Sequence, residues 1–353
     1  MSSTTELYSL TVGARRLVVV DLGFLGDTVH LVPALWELRQ HYPEAQIDVV
    51  TTPLGAAVLT LTPWIHRVWA IELDKARRST WAQIRTVWAL RRARFDLALN
   101  FTGADRTLIL MGLTGARHGV ARVSDRWHFW NPWLIRHWVP QPDRLQPVYE
   151  QRRVMLKECG LPIAGPARFN LEIPEEANRW AAKKIPAQSI HLSLSASTPI
   201  KEWPLHRWIE LGRQLTAEFP ELAIVVTSGA STREQERVRD FSLAVGDGRV
   251  FSILQPSLPQ FAALLMRCRL HIGCDSGPLH LAMALDTPTI ALFRQYFGME
   301  EWLPRGRHHR HLTVACACAG QRKPPCLERS TSDCLNYISA PIVMNSVRQL
   351  LAL

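Results

Sequence analysis

The chain has 353 residues, 47% hydrophobic and 20% charged, a balance that excludes a disordered or low-complexity protein and suits two globular domains. Its formal net charge of +10, with a pI near 9.6, calls for an anionic partner without choosing among a phosphorylated small molecule, a membrane surface and nucleic acid. The opening MSSTTELYSLTVGARR lacks the basic-then-apolar order of a secretory signal, and no run reaches the roughly 18–20 apolar residues that span a bilayer, so a cytoplasmic protein is expected.

In the first half RLVVVD (16–21), QIDVVTT (46–52), RVWAIE (67–72) and FDLALNF (95–101) read as strands. Between them VHLVPALWELRQHY (29–42) and TWAQIRTVWALRRARF (80–95) read as helices, and the alternation implies βαβ units on a parallel sheet. The first strand-to-helix turn lies in DLGFLGDTVHLVPAL (21–35) and carries Asp27. An aspartate there serves as an N-cap. Alternatively it is a general base, since a carboxylate of intrinsic pKa near 4 is ionised at neutral pH and takes a proton from an attacking hydroxyl. Further on, WHFWNPWLIRHWV (127–139) mixes tryptophans with Arg and His and suits either a membrane interface or a packed interior. VYEQRRVMLKECGL (148–161) reads as one helix, and the Pro/Gly-rich stretch 160–180 as the interdomain linker.

The second half restarts the rhythm. SIHLSLS (189–195), LAIVVTSG (222–229), RVFSIL (249–254), LHIGCD (270–275) and TIALF (289–293) are strands. PLHRWIELGRQLTAEF (204–219), TREQERVRDFSLAV (232–245) and LPQFAALLMRC (258–268) are helices, and PIVMNSVRQLLAL closes the chain. The expected fold is therefore α/β, two Rossmann-like doubly wound domains facing across a cleft, with ligands at the carboxyl ends of the strands. The boundaries expected are 1–165, 166–335 and a terminal helix at 336–353.

Three strand ends of the second half carry the chemistry. In HIGCDSGPLHLAMAL (271–285) a strand ends at Asp275, Ser276 and Gly277 make the turn, and Pro278 suits the first helical position. A helix N-terminus with a glycine holds a diphosphate, Asp275 accepts from sugar hydroxyls, and His280 follows within the first turns. In SLSASTPIKEWPLHRW (193–208) small hydroxyls, Ser197 among them, precede Lys201, the set that phosphate oxygens need. In TSGASTREQERV (227–238) Glu234 opens a helix and is placed to hold ribose hydroxyls, or to complement the helix dipole. The chain has neither GxGxxG nor GxxxxGK[ST], which argues against NAD and against a P-loop.

LGDTVHLVPALWELRQHYPEAQIDVVT resembles the opening motif of glycosyltransferase family 9, the ADP-heptose:lipopolysaccharide heptosyltransferase family. DSGPLHLAMALDTPTIALF resembles its donor-site motif and KEWPLHRWIELGRQL its lysine motif, in the same order, over nearly the whole chain. The resemblance implies a GT-B fold and an inverting transfer that needs no metal ion. It implies Asp27 as base, Lys201 and Ser197 on the donor phosphates, and Asp275, Ser276, Gly277 and His280 around the donor sugar and diphosphate. Glu234 is the choice for the ribose. The implied partners are a nucleotide-sugar donor and an anionic glycolipid acceptor, met at the cytoplasmic face of the inner membrane.

Between residues 60 and 160 about 17 Lys and Arg stand against about 8 acids. Of these, Arg77, Arg78, Arg85, Arg91, Arg92, Arg94 and Arg106 are candidates to face a phosphorylated lipid acceptor, or to form a solvated helix face. Cys316, Cys318, Cys326 and Cys334 crowd the tail and read either as a structural metal site or as reduced thiols filling a loop core. Two other classes share the fold reading: a nucleotide-sugar epimerase or hydrolase, and a non-catalytic nucleotide-sugar binding protein. Nucleic acid is not an expected partner, because no helix-turn-helix, zinc-finger or aromatic RNA-binding pattern occurs.

Overall fold

The computed structural model describes residues 6–73, 80–123, 128–316, 321 and 325–352. Arg77, Arg78, Trp127 and Cys318, singled out above, lie outside the described residues. The chain divides into two compact units, Met1–Glu172 and Ile173–Leu353.

The first unit runs α1 (Leu7–Thr11), β1 (Arg16–Val20), α2 (Leu25–His41), β2 (Gln46–Thr51), α3 (Pro53–Leu59), β3 (Arg67–Ala70) and α4 (Thr80–Arg92). It continues with β4 (Leu97–Asn100), α5 (Asp105–Leu113), β5 (His118–Arg122), α6 (Asn131–Leu134), β6 (His137–Val139) and α7 (Val148–Glu158). The second runs α8 (Glu175–Lys184), β7 (Ser189–Ser193), a 3-10 turn at Pro199–Lys201, α9 (Leu205–Glu218), β8 (Ala223–Ser228), α10 (Thr232–Val245), β9 (Val250–Leu254) and α11 (Leu258–Arg267). Then follow β10 (Leu270–Cys274), α12 (Gly277–Ala284), β11 (Thr289–Leu292), a 3-10 turn at Met299–Glu301, β12 (His309–Leu312), α13 (Pro325–Arg329), α14 (Asp333–Asn336) and α15 (Ala340–Leu351).

Each unit holds a six-stranded parallel sheet, in the orders β3-β2-β1-β4-β5-β6 and β12-β11-β10-β7-β8-β9. Both are doubly wound, so each has one switch point where the strand order reverses: between β1 and β4 in the first unit, between β7 and β10 in the second. Alternation in β1 explains why it is apolar from Leu17 to Val20. Leu17 and Val19 join the core on one face of the sheet, while Val18 and Val20 join the core on the other. Among the described residues no helix is long and apolar enough to cross a membrane.

Three strands escaped the reading from sequence: β5, β6 and β12. All three are short and carry histidine, with arginine in two of them, reading HGVAR, HWV and HRHL. The expected linker over 160–180 also gives way to α8 at Glu175. That helix carries Glu175 and Glu176 in its first turn and Lys183 and Lys184 in its last, the charge order that favours a helix. The 127–139 stretch is split between interior and surface. Asn131, Ile135, His137 and Val139 are buried, whereas Phe129 and Trp133 are exposed.

Two histidines sit in the core of the second unit. The Nδ1 atoms of His191 and His271 are 2.8 Å apart, so one neutral ring donates to the other, and His191 Nε2 meets the Thr227 hydroxyl at 3.0 Å. Burial pushes His191 down to about 3 and His271 well below its ordinary value. Unfolding exposes both to water near pKa 6.5, so the unfolded state binds more protons between those limits and stability falls as pH drops below about 6.5. His191 alone contributes about 2 kcal/mol of this loss by pH 5. The melting temperature is therefore expected to drop by about 4–8 °C between pH 7 and pH 5. His191→Gln should flatten that difference; an unchanged pH dependence in the variant would assign it elsewhere.

Candidate functional site

Doubly wound sheets collect ligands at the switch point, and both units place chemistry-bearing residues there. In the first unit β1 delivers Asp21, which is fully buried. Its carboxylate accepts the Gly23 N–H at 2.9 Å and pairs with the buried Arg152 of α7, also at 2.9 Å. The same guanidinium donates to the Asp27 carbonyl at 2.6 Å, so one cation ties the end of β1 to the start of α2. Removing one member of a buried pair typically costs about 3–5 kcal/mol, because the other charge is left uncompensated. The turn is consequently held firmly.

Asp27 is half-buried, in the first turn of α2. It is not the N-cap that the sequence suggested. The helix begins at Leu25 with Phe24 as N-cap, so Asp27 stands at the third helical position, and its Oδ2 accepts the Phe24 N–H at 2.9 Å. A Cβ added at Gly23 would come within 2.3 Å of the Asp27 Cβ. Glycine is therefore what lets the loop pass over this carboxylate. Beside β1 the next strand, β4, ends in the buried Asn100. Its Oδ1 accepts N–H groups of Thr102 at 3.0 Å and Gly103 at 2.8 Å, while its Nδ2 has no partner among the described residues. Asn100 and Arg152 were both missed from sequence, since an Asn at a strand end and an Arg mid-helix carry no motif.

In the second unit the switch point gathers Lys201 from the turn after β7 and Asp275 from the end of β10. The Lys201 ammonium donates to Asp275 Oδ2 at 2.7 Å, and the Tyr296 hydroxyl donates to the same oxygen at 3.1 Å. His280 Nε2 lies 3.4 Å from Oδ1. Burial raises the Asp275 carboxyl, but His280 and Lys201 outweigh it and hold it well below the usual carboxylate range. Burial and the Asp275 charge push the Tyr296 phenol well above its ordinary value, so it stays a donor. Lys201 and His280, 79 positions apart in the chain, thus converge on one carboxylate. Tyr296, in the loop after β11, was not foreseen.

Ser276 is the N-cap of α12 and its Oγ donates to the Cys274 carbonyl at 3.1 Å. Gly277 is the first helical residue, which moves Pro278 from the expected first position to the second. Ser197 is exposed in the turn after β7. That turn is clasped by Glu202, which accepts the Ala196 N–H at 3.0 Å, and by Arg233, which bridges Glu202 at 2.5 Å and the Ala196 carbonyl at 3.1 Å. Glu234, in the first turn of α10, accepts the Gly229 N–H at 2.7 Å, closing the loop after β8 one strand away from the switch point. The structure thus brings Lys201, Asp275 and His280 together, keeps Ser276 and Gly277 at the adjoining helix start, and leaves Glu234 on the neighbouring loop.

Of the tail cysteines, Cys334 is buried, which raises its thiol pKa, and Cys326 accepts from Arg294 at 3.8 Å. Among the described residues no three His, Cys, Asp or Glu side chains cluster closely enough to hold a metal ion. Cys318, the fourth of the set, is outside them.

The model of glycosyltransferase family 9 (heptosyltransferase) matches residues 84–331. Lipopolysaccharide heptosyltransferase 3 of Escherichia coli is 25% identical over 287 residues, covering 76% of this chain and 81% of the relative. The glycosyl transferase family 9 structure from Veillonella parvula superposes with a TM-score of 0.81 at 20% identity, over 96% of this chain and 97% of that one. E. coli heptosyltransferase WaaC, solved with ADP-2-deoxy-2-fluoro heptose, gives 0.73 at 18% identity, over 95% and 99%. These neighbours share the GT-B fold, with its two Rossmann-like domains.

Proposed function

The chain belongs to glycosyltransferase family 9, the heptosyltransferases, and on that premise we propose that it moves heptose from ADP-heptose to a hydroxyl of a lipopolysaccharide core acceptor, with inversion at the anomeric carbon. It is a glycosyltransferase. The observation that supports the donor site best is the set Lys201, Asp275, His280 and Tyr296 at the switch point of the second unit, beside the N-terminus of α12. Negative charge develops on the departing diphosphate. An ammonium and a helix start placed beforehand stabilise it where it forms. Ser197 adds a hydroxyl donor, Ser276 and Gly277 offer backbone at the diphosphate, and Glu234 accepts from the ribose. Asp275 orients Lys201 and His280 toward the sugar.

In the first unit Asp27 removes the proton of the attacking hydroxyl. Its link to the Phe24 N–H holds the carboxylate in place, and a carboxylate has further acceptor positions. The chemistry so drawn needs no metal ion. The protein works in the cytoplasm, at the surface of the inner membrane where a lipid-linked acceptor resides.

The test is to mix the protein with ADP-heptose and heptose-deficient core glycolipid, following ADP release and the anomeric configuration of the product. ADP release that requires acceptor, with an inverted glycoside, is the expected result. Equal release without acceptor would point instead to a hydrolase or epimerase of this fold, and donor binding without any release to a binding protein.

A further inference from the structure

A second basic site lies at the opposite edge of the first unit's sheet. A pocket of about 530 Å³ opens at the amino ends of the strands, lined by Arg16, Arg67 and Arg92, with Trp69, Trp88 and Asp48 among its other walls. Asp27 follows the carboxyl end of β1. The five residues of that strand separate the two places by about 16 Å, so this pocket is not where the acceptor hydroxyl reacts.

Among the described residues that line the pocket, Asp48 is the one acid, and it is already spent. Asp48 is buried, one oxygen meeting His66 Nδ1 at 2.8 Å and the other accepting from Trp69 Nε1 at 2.7 Å. The guanidinium of Arg67 lies 3.6 Å over Trp69, and that of Arg92 lies 3.6 Å over Trp88. Neither has an ion-pair partner among the described residues. Stacking fixes a guanidinium plane while leaving its N–H edge for a bidentate anion, the geometry that suits phosphate.

Arg92 also ends α4, and the outer face of that helix continues the pocket. Trp81, Ile84 and Trp88 follow one another at i, i+3 and i+7 and are 77%, 54% and 58% exposed. Arg85 and Arg91 are exposed on the same helix, which contains no acid. Its inner face is occupied separately, Val87 and Leu90 packing into the core. Tryptophans of this kind settle at the level of lipid headgroups, and arginines beside them are drawn to an anionic leaflet.

We propose that α4 and this pocket form the surface on which the protein docks to an anionic phospholipid bilayer, with Trp81, Ile84 and Trp88 entering the interface and a lipid phosphate seated between Arg16, Arg67 and Arg92. This rests on the peripheral membrane reading above and names its surface. The complementarity is of charge. Of the seven arginines read from sequence as facing the acceptor, Arg92 is thereby assigned to the bilayer itself.

The test is co-sedimentation of the full chain with phosphatidylcholine vesicles and with vesicles also containing phosphatidylglycerol. Wild-type protein should bind the anionic vesicles, less so at high salt, and leave the zwitterionic ones. Each arginine near the surface is worth about fivefold, so Arg67→Gln with Arg92→Gln should weaken binding about 30-fold. A charge-matched control, Arg168→Gln with Arg239→Gln, should bind like wild type. All three proteins must melt alike. If the pocket variant binds anionic vesicles as wild type does, this surface is wrong while peripheral contact stands. If no vesicle binds wild type, both readings fall. If inorganic phosphate at constant ionic strength displaces the protein from the vesicles, the pocket is a site for soluble phosphate and the docking proposal fails.

Discussion

Asp27→Asn is expected to lower turnover by a factor of about 10²–10⁴, the usual contribution of a positioned general base, while leaving ADP-heptose affinity and the melting temperature close to wild type. The substitution is chosen for what it preserves. Asp27 Oδ2 holds the Phe24 N–H at 2.9 Å, and an asparagine carbonyl can accept the same bond. Only the charge is lost, together with its interaction with the start of α2, typically 0.3–1 kcal/mol. Arg152 still anchors the turn through Asp21 and the residue-27 carbonyl. A stability effect and a catalytic effect are therefore separable: kcat collapses, whereas Tm moves little. Turnover like that of wild type would mean that Asp27 only caps its helix. Asp27→Ala is the poorer experiment, because it also removes the link to Phe24.

What the sequence disclosed, and what it withheld, follows from how local each signal is. Asp27, Lys201 and Asp275 were legible because each sits just past an apolar β-branched run, and a strand followed by a turn and a helix start is written within about ten residues. The doubly wound architecture was legible for the same reason. β5, β6 and β12 were not, since HGVAR, HWV and HRHL are short and carry little apolar periodicity, although each pairs with the strand next to it in sequence. Arg152 and Tyr296 illustrate a different limit. Each acts on a carboxylate that is distant in sequence, Asp21 from Arg152 and Asp275 from Tyr296, so the partnership exists only once the chain has folded. Asp27 shows the finest grain. Its residue number was readable, but whether it would be N-cap or third helical residue depended on the helix starting at Leu25.

Lys201→Ala is expected to weaken ADP binding by about 10- to 150-fold, the range for losing a hydrogen bond to a charged group, while leaving adenosine binding nearly unchanged. Two roles compete for this lysine. In one its ammonium, held at 2.7 Å from Asp275, turns to the diphosphate when donor arrives. In the other it is only the counter-ion of a buried carboxylate. Both predict some loss of stability, so melting temperature alone does not separate them. The ratio of ADP to adenosine affinity does, because only the first role acts through phosphate. The pH dependence supplies a second reading. With Lys201 in place Asp275 titrates well below the usual carboxylate range, so its share of stability is present above about pH 4 and is lost only on further acidification through the lowered folded value. Without the ammonium, burial is opposed only by His280 and the Tyr296 hydroxyl, and the folded value rises toward the ordinary range. The share of stability that Asp275 loses below about pH 4 should then shrink, flattening the acid limb in the variant. A variant whose acid limb flattens but whose ADP-to-adenosine ratio stays at the wild-type value would confine Lys201 to the counter-ion role and leave the α12 N-terminus as the principal diphosphate contact.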